Sequence, residues 1–276
     1  MKHLTALLLC AAFTVCPALA DSGKPSQGQL LSAFFGLDDS RRIRVRTSVA
    51  CRGIPGGDGM PVIFDHEVDS TTLEPEDFRV TRASGEIGRV DCVTLRPADD
   101  PGELRTALVI GQYGSVEDPP VTVEIVGDVM SLDGDLNFKG ATAEVIPLAA
   151  GPTLILAESV PPNYWSLGGP GDCPRDGLRG VVRAVWAGGI TKPGGDEIGA
   201  AEMGLYRISL RQADGTVVAV APMAVGDLND NDNNHELCLN VEGEPLNVSF
   251  PAGAVTDPNE DLNPDTGVDV SAPVSN

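Results

Sequence analysis

Residues 226–238 read GDLNDNDNNHELC and hold three aspartates, four asparagines, a histidine and a glutamate. So much oxygen suits a hard cation, since calcium takes about six to eight oxygen ligands, commonly from alternate residues of a tight loop. The candidate calcium ligands in this stretch are Asp227, Asn229, Asp230, Asp232 and Asn234. A second set, Asp257, Asn259 and Asp261, keeps strict i, i+2 spacing and continues through Asn263 and Asp265. Neither stretch is an EF-hand: counted from Asp230, the sixth position is His235 rather than Gly and the twelfth is Val241 rather than Glu. The competing reading is turn chemistry, because Asp and Asn side chains hydrogen-bond their own backbone and tolerate left-handed conformations. Asp133-Gly134-Asp135 reads as such a turn.

Catalytic motifs are sparse. His66 and His235 are followed by Glu67 and Glu236, but Ser70 and Leu239 stand where a second histidine would complete a zincin helix. There is no G-x-S-x-G nucleophile elbow, no P-loop and no dinucleotide loop. Asp265-Thr266-Gly267 has the Asp-Thr-Gly form of aspartic proteases, but that chemistry needs two such aspartates sharing a proton. His235-Glu236, beside the Asp/Asn loop, is the best single place for a transition-metal or acid–base role, the latter as in an extracellular hydrolase of polysaccharide or peptide. The alternative is an inert surface histidine. Trp186 reads as core, and Tyr164-Trp165 as either an exposed ligand contact or packing beneath a loop.

The elements that must position these residues are short strands. With 32 Gly and 22 Pro in 276 residues, the chain is punctuated too often for long helices. Aromatics are only 4%, so a core must be built from Val, Leu, Ile and Ala. Val121, Val123 and Ile125 alternate with Thr122 and Glu124, and Val217, Ala219 and Ala221 alternate less cleanly with Val218 and Val220. Period two with frequent turns predicts an all-β antiparallel sandwich. STTLEPEDF predicts one helical turn with a Thr71/Glu74 capping box.

Charge and compartment bound the partners. The formal net charge of −21 repels nucleic acid and anionic lipid and favours cations. Met1-Lys2-His3, the apolar run Leu4 to Val15 and Ala18-Leu19-Ala20 form a secretory signal peptide over 1–20, cleaved after Ala20. No later segment is long and apolar enough for a membrane span, so a secreted or periplasmic protein is expected. Four cysteines then remain, Cys51, Cys92, Cys173 and Cys238, which suggest two disulfides with three pairings open.

The two halves repeat. Phe64 in VIFDHEVD matches Trp186 in AVWAGGIT, with Cys51 and Cys173 each 13 residues earlier. DFRVTRASGEI parallels LYRISLRQADGTV, with hairpin turns at Ser84-Gly85 and Asp214-Gly215. Asp135-Leu136-Asn137 parallels Asp261-Leu262-Asn263. This predicts two tandem domains, 28–148 and 151–274, with bridges Cys51–Cys92 and Cys173–Cys238 inside each.

MPVIFDHEVDSTTLEPEDFRVT followed by VTVEIVGDVMSLDGDLNFKG resembles the bacterial Ig-like domain of surface-layer and large exported proteins. Phe64, Val68, Phe78, Val80, Val123, Ile125, Gly127 and Asn137 carry the likeness over roughly residues 55–145; the second half shares it only through the repeat. The resemblance implies Ig-like β-sandwich domains acting as spacers, adhesion units or accessory modules. The expectation is therefore a non-catalytic binding, adhesion or structural protein with candidate calcium loops, facing a protein or glycan partner.

Overall fold

The structure, a computed structural model, describes residues 27–40, 51, 54, 57–228 and 232–271. The expected signal peptide, Asn229 and Asp230 lie outside the described residues. The chain is all-β. Among the described residues, eight strands precede residue 147: β1 Leu30–Phe34, β2 Leu37–Ser40, β3 Gly57–Phe64, β4 Phe78–Arg82, β5 Ile87–Thr94, β6 Thr106–Gln112, β7 Pro120–Ile125 and β8 Thr142–Ile146. Eight follow residue 153: β9 Leu154–Ser159, β10 Gly180–Trp186, β11 Arg207–Arg211, β12 Val217–Val220, β13 Ala224–Gly226, β14 Asn234–Leu239, β15 Glu244–Phe250 and β16 Thr266–Ser271. An α-helical turn, α1 (Ala200–Met203), precedes β11.

The first sheet runs β1-β8-β7-β4-β5-β6-β3-β2, and β1 also pairs with β3, so seven strands close into a barrel. The second runs β12-β11-β15-β16-β9-β10-β14-β13 and stays open as a half-barrel. One strand decides the difference. In β5, Ile87 and Gly88 pair with β4, while Arg89 to Thr94 pair with β6, so a single strand bridges both sides. In the second sheet the same work is divided between β12, on β11, and β13, on β14, with Ala221-Pro222-Met223 between them. Proline lacks the N–H that a continuous ladder needs. The arrangement is not wholly antiparallel as expected: β1 is parallel to β8, and β9 is parallel to β16.

The two hairpin turns anticipated from sequence have one geometry. Arg82 N–H donates to Glu86 O and Gly85 N–H to Arg82 O; Gln212 N–H donates to Thr216 O and Gly215 N–H to Gln212 O. Gly85 and Gly215 have φ of 87° and 85°, a region that glycine enters without penalty. The helical turn at 70–77 is two 3-10 turns, Ser70–Thr72 and Pro75–Asp77. Its caps are not the expected Thr71/Glu74 box. Asp69 accepts from Thr71 N–H and Asp77 from Glu74 N–H, because Pro75 opens a second turn there.

Each sheet wraps its own core. Phe64, Val68, Phe78, Val80, Val123 and Ile125, the apolar residues of the resemblance, all lie in the first core. A Cβ on Gly127 would overlap the Asp77 carboxylate. Trp186 occupies the second core, edge-on to Phe250 and Tyr206, and does not face solvent. Val217 and Val218 depart from the expected alternation: both are exposed, because β12 is an edge strand. Both bridges form as expected, Cys51–Cys92 and Cys173–Cys238. Tyr164 and Trp165 pack against the second bridge, and Trp165 Nε1 donates to Val160 O.

Candidate functional site

Polar chemistry in the interior concentrates where the two sheets meet. Alternation in β10 sends Val182, Ala184 and Trp186 into the second core, which turns Arg183 to the opposite face. The register places Glu158 of β9 and Glu236 of β14 directly across from Arg183 on its two neighbours. Its Nη1 lies 3.4 Å from Glu158 Oε1 and its Nη2 3.2 Å from Glu236 Oε1. The first sheet completes the set through the loop between β5 and β6. Glu103 Oε1 stands 3.0 Å from Arg183 Nε, and Arg105 Nη2 stands 3.0 Å from Glu158 Oε2. Arg183 Nη1 also donates to Gly102 O, and Arg105 Nη1 to Asp65 O. All five side chains are at most 6% exposed, so the network is dry.

Burial governs the protonation of these groups. It pushes the Glu236 carboxyl up to about 7 against the pull of Arg183, with Asp227 adding to the rise. It pushes Glu103 up more strongly, with Arg183 opposing and Asp227 and Asp232 reinforcing. Asp227 is raised as well, again chiefly by burial.

His235 sits in a different setting from the one expected. It is buried, with Nδ1 2.7 Å from the Tyr206 hydroxyl, and Tyr206 in turn accepts from Trp186 Nε1. Indole N–H only donates, so the tyrosine hydroxyl proton is free to go to Nδ1, which leaves a neutral ring protonated at Nε2. Burial holds its pKa down at about 4. His235 and Glu236 alternate on β14 and therefore point to opposite faces, one into the aromatic core and one to Arg183. They do not converge on one substrate atom.

The Asp/Asn stretches divide. Asp257 accepts from the backbone N–H of Asn259 and Asp261 and from Asn259 Nδ2. Asn263 caps Ala254 and Val255, and Asp265 caps Ala252. Asp232 accepts from the backbone and side chain of Asn234. Asn259 also reaches the first sheet, donating to Gly36 O. Asp232 and Asp257 line one cleft of about 470 Å³ between the sheets, whose walls include Phe34, Leu37, Leu108 and Ile190. Asp227 goes elsewhere and meets Asp100 and Glu103 of the first half.

Sequence reasoning missed Glu103, Arg105, Glu158 and Arg183. Glu158 and Arg183 carried a signal, a charged residue inside an otherwise apolar strand, as in LILAES and GVVRAVW, whereas Glu103 and Arg105 lie in a loop and carried none.

No family model and no curated protein matches the chain. Among solved structures it is similar to the N-terminal part of the bacterial S-layer protein SbsC, with TM-score 0.30 and 13% identity over 89% of this chain and 44% of that one. It is also similar to the S-layer protein rSbsC(31-844), at TM-score 0.30 and 14% identity, covering 89% of this chain and 26% of that one. The chain thus spans under half the length of these structures.

Proposed function

We propose that this is an exported, non-catalytic structural or adhesion protein made of two Ig-like units held in a fixed mutual orientation. The observation that carries this reading is the buried network of Arg105, Arg183, Glu103, Glu158 and Glu236. The acidic and basic groups that a hydrolase would turn toward substrate are turned toward one another and join the two halves. Strand order supports the Ig-like assignment. Such folds place strands A-B-E-D on one side and C-F-G on the other. Here β1-β3-β6-β5 and β4-β7-β8 follow that order in the first half, and β9-β10-β14-β13 and β11-β15-β16 follow it in the second. Two disulfides suit an oxidising compartment, and no helix among the described residues is long and apolar enough to cross a membrane.

Small-angle scattering tests the fixed orientation: one rigid profile is expected, unchanged between low and high salt, because the joining ion pairs are shielded from solvent. Assays on a panel of glycans and peptides test the rest. Turnover that disappears in His235→Ala or Glu236→Gln would overturn the non-catalytic reading.

A further inference from the structure

We propose that the cleft between the two units binds a small organic amine, its apolar body on the first unit and its ammonium group among acids of the second. Strand β6 supplies the floor. Ala107 and Val109 point into the first core, so Thr106 and Leu108 turn to the opposite face and into the cleft. On the neighbouring β3, Met60 and Val62 fill the core, and Gly59 and Pro61 line the cleft for the same reason. The rim comes from the second unit, from the loops between β10 and β11 and between β15 and β16. Thr191 N–H donates to Thr256 O and Thr256 N–H to Thr191 O, and Glu260 accepts from Gly194 N–H. Asn259 Nδ2 ties this rim to Gly36 O of the first unit. The cleft is thus held open by hydrogen bonds on both sides. Its volume of about 470 Å³ falls within the roughly 300–1,000 Å³ of small-molecule pockets.

Charge selects the ligand. Glu197, Asp232, Asp257 and Glu260 line the cleft against one basic side chain, Arg96, which is ion-paired with Asp99 at 3.0 Å. Among the described residues, no three of these acids bring carboxylate oxygens within 4.8 Å of one another. They are spaced for a larger cation than a bare metal ion, around a floor that suits an apolar body. Thr106 is a separate sign of a ligand. It is 5% exposed, it faces the cleft, and its Oγ1 has no hydrogen-bond partner. A buried hydroxyl oxygen without a partner calls for a donor, and an ammonium group carries three.

This goes beyond the structural reading above, and its failure would leave that reading standing. The test is calorimetric titration of the full chain with phenethylamine, and separately with phenylacetate, which keeps the ring and reverses the charge. Phenethylamine should occupy one site with a Kd below about 1 mM, and phenylacetate should bind at least about tenfold more weakly. Glu260→Gln and Thr106→Val should each weaken the amine at least about threefold, the first by removing a charge and the second a hydrogen-bond acceptor. Both variants keep the fold: Glu260 is exposed, and valine suits a strand as threonine does. Glu144→Gln, exposed on β8 and outside the cleft, should leave the affinity unchanged. Four results overturn the proposal: no binding at millimolar phenethylamine, equal binding of phenylacetate, full affinity in both cleft variants, or as large a loss in Glu144→Gln as in Glu260→Gln.

Discussion

At the scale of single residues, His235 and Glu236 carry opposed pH dependences. The folded-state pKa of His235 is about 4, below the ordinary 6.5, so the folded chain binds fewer protons there than the unfolded chain. Its contribution is complete above pH 6.5 and is lost as pH falls to 4, by about 3 kcal/mol. Glu236 runs the other way. Its pKa is raised from 4.5 to about 7, so its contribution is complete below pH 4.5 and is lost as pH rises to 7, by a similar amount. The two offset each other in the intact protein, and substitution separates them. The stability lead of the parent over His235→Gln should shrink by about 3 kcal/mol between pH 6.5 and 4. Glu236→Gln should gain on the parent by about as much between pH 4.5 and 7. Urea unfolding at several pH values checks both, and parallel profiles for parent and variants would refute the burial of these groups. Individual residues were legible in the sequence only where their partners were local. The Asx turns at Asp214 and Asp257 follow from residue type, whereas Asp100 and Glu103, which meet Asp227, lie more than a hundred positions away.

At the scale of elements, one glycine lets β5 serve both sides of the first unit. Gly88 is the last residue of β5 paired to β4 before the strand moves to β6. A Cβ there would overlap the Cβ and Cα of Tyr113, which is fully buried and donates its hydroxyl to Val109 O. Gly88→Ala should therefore cost about 2–3 kcal/mol through overpacking. Gly85, three residues earlier, is a glycine for another reason: its φ is 87° and a Cβ there meets nothing. Gly85→Asn should cost well under 1 kcal/mol, since asparagine accepts a left-handed turn. Thermal unfolding of the two variants distinguishes steric from conformational glycines, and equal losses would contradict the crossing. Turn chemistry explains why both hairpins could be read in advance. The parallel pairings β1–β8 and β9–β16 could not, because they join strands from opposite ends of each half, and no local pattern encodes such contacts. The bridges show the limit of the repeat. Cys51 and Cys173 hold matching places, yet Cys92 lies on β5 and Cys238 on β14, which correspond to different strands of the common order.

For the whole molecule, the question is what keeps two separately cored sheets from moving independently, which is the default for units joined by a modest polar interface. In the proposed arrangement the buried ion network does this, at a cost. Buried pairs are weak contributors to net stability, but removing one partner strands the others. Arg183 touches three carboxylates from both units, so Arg183→Met leaves Glu103, Glu158 and Glu236 with Arg105 alone. That substitution should cost about 3–5 kcal/mol. It should also uncouple the halves, so that one urea transition becomes two. Replacing the full set together, with Met for both arginines, Leu for the three glutamates and Asn for Asp227, should return stability at least to the parent's level, because no charge of the network is then left uncompensated. A cost below about 1 kcal/mol for Arg183→Met, with a single transition retained, would mean that the units are held together by the apolar cleft walls instead.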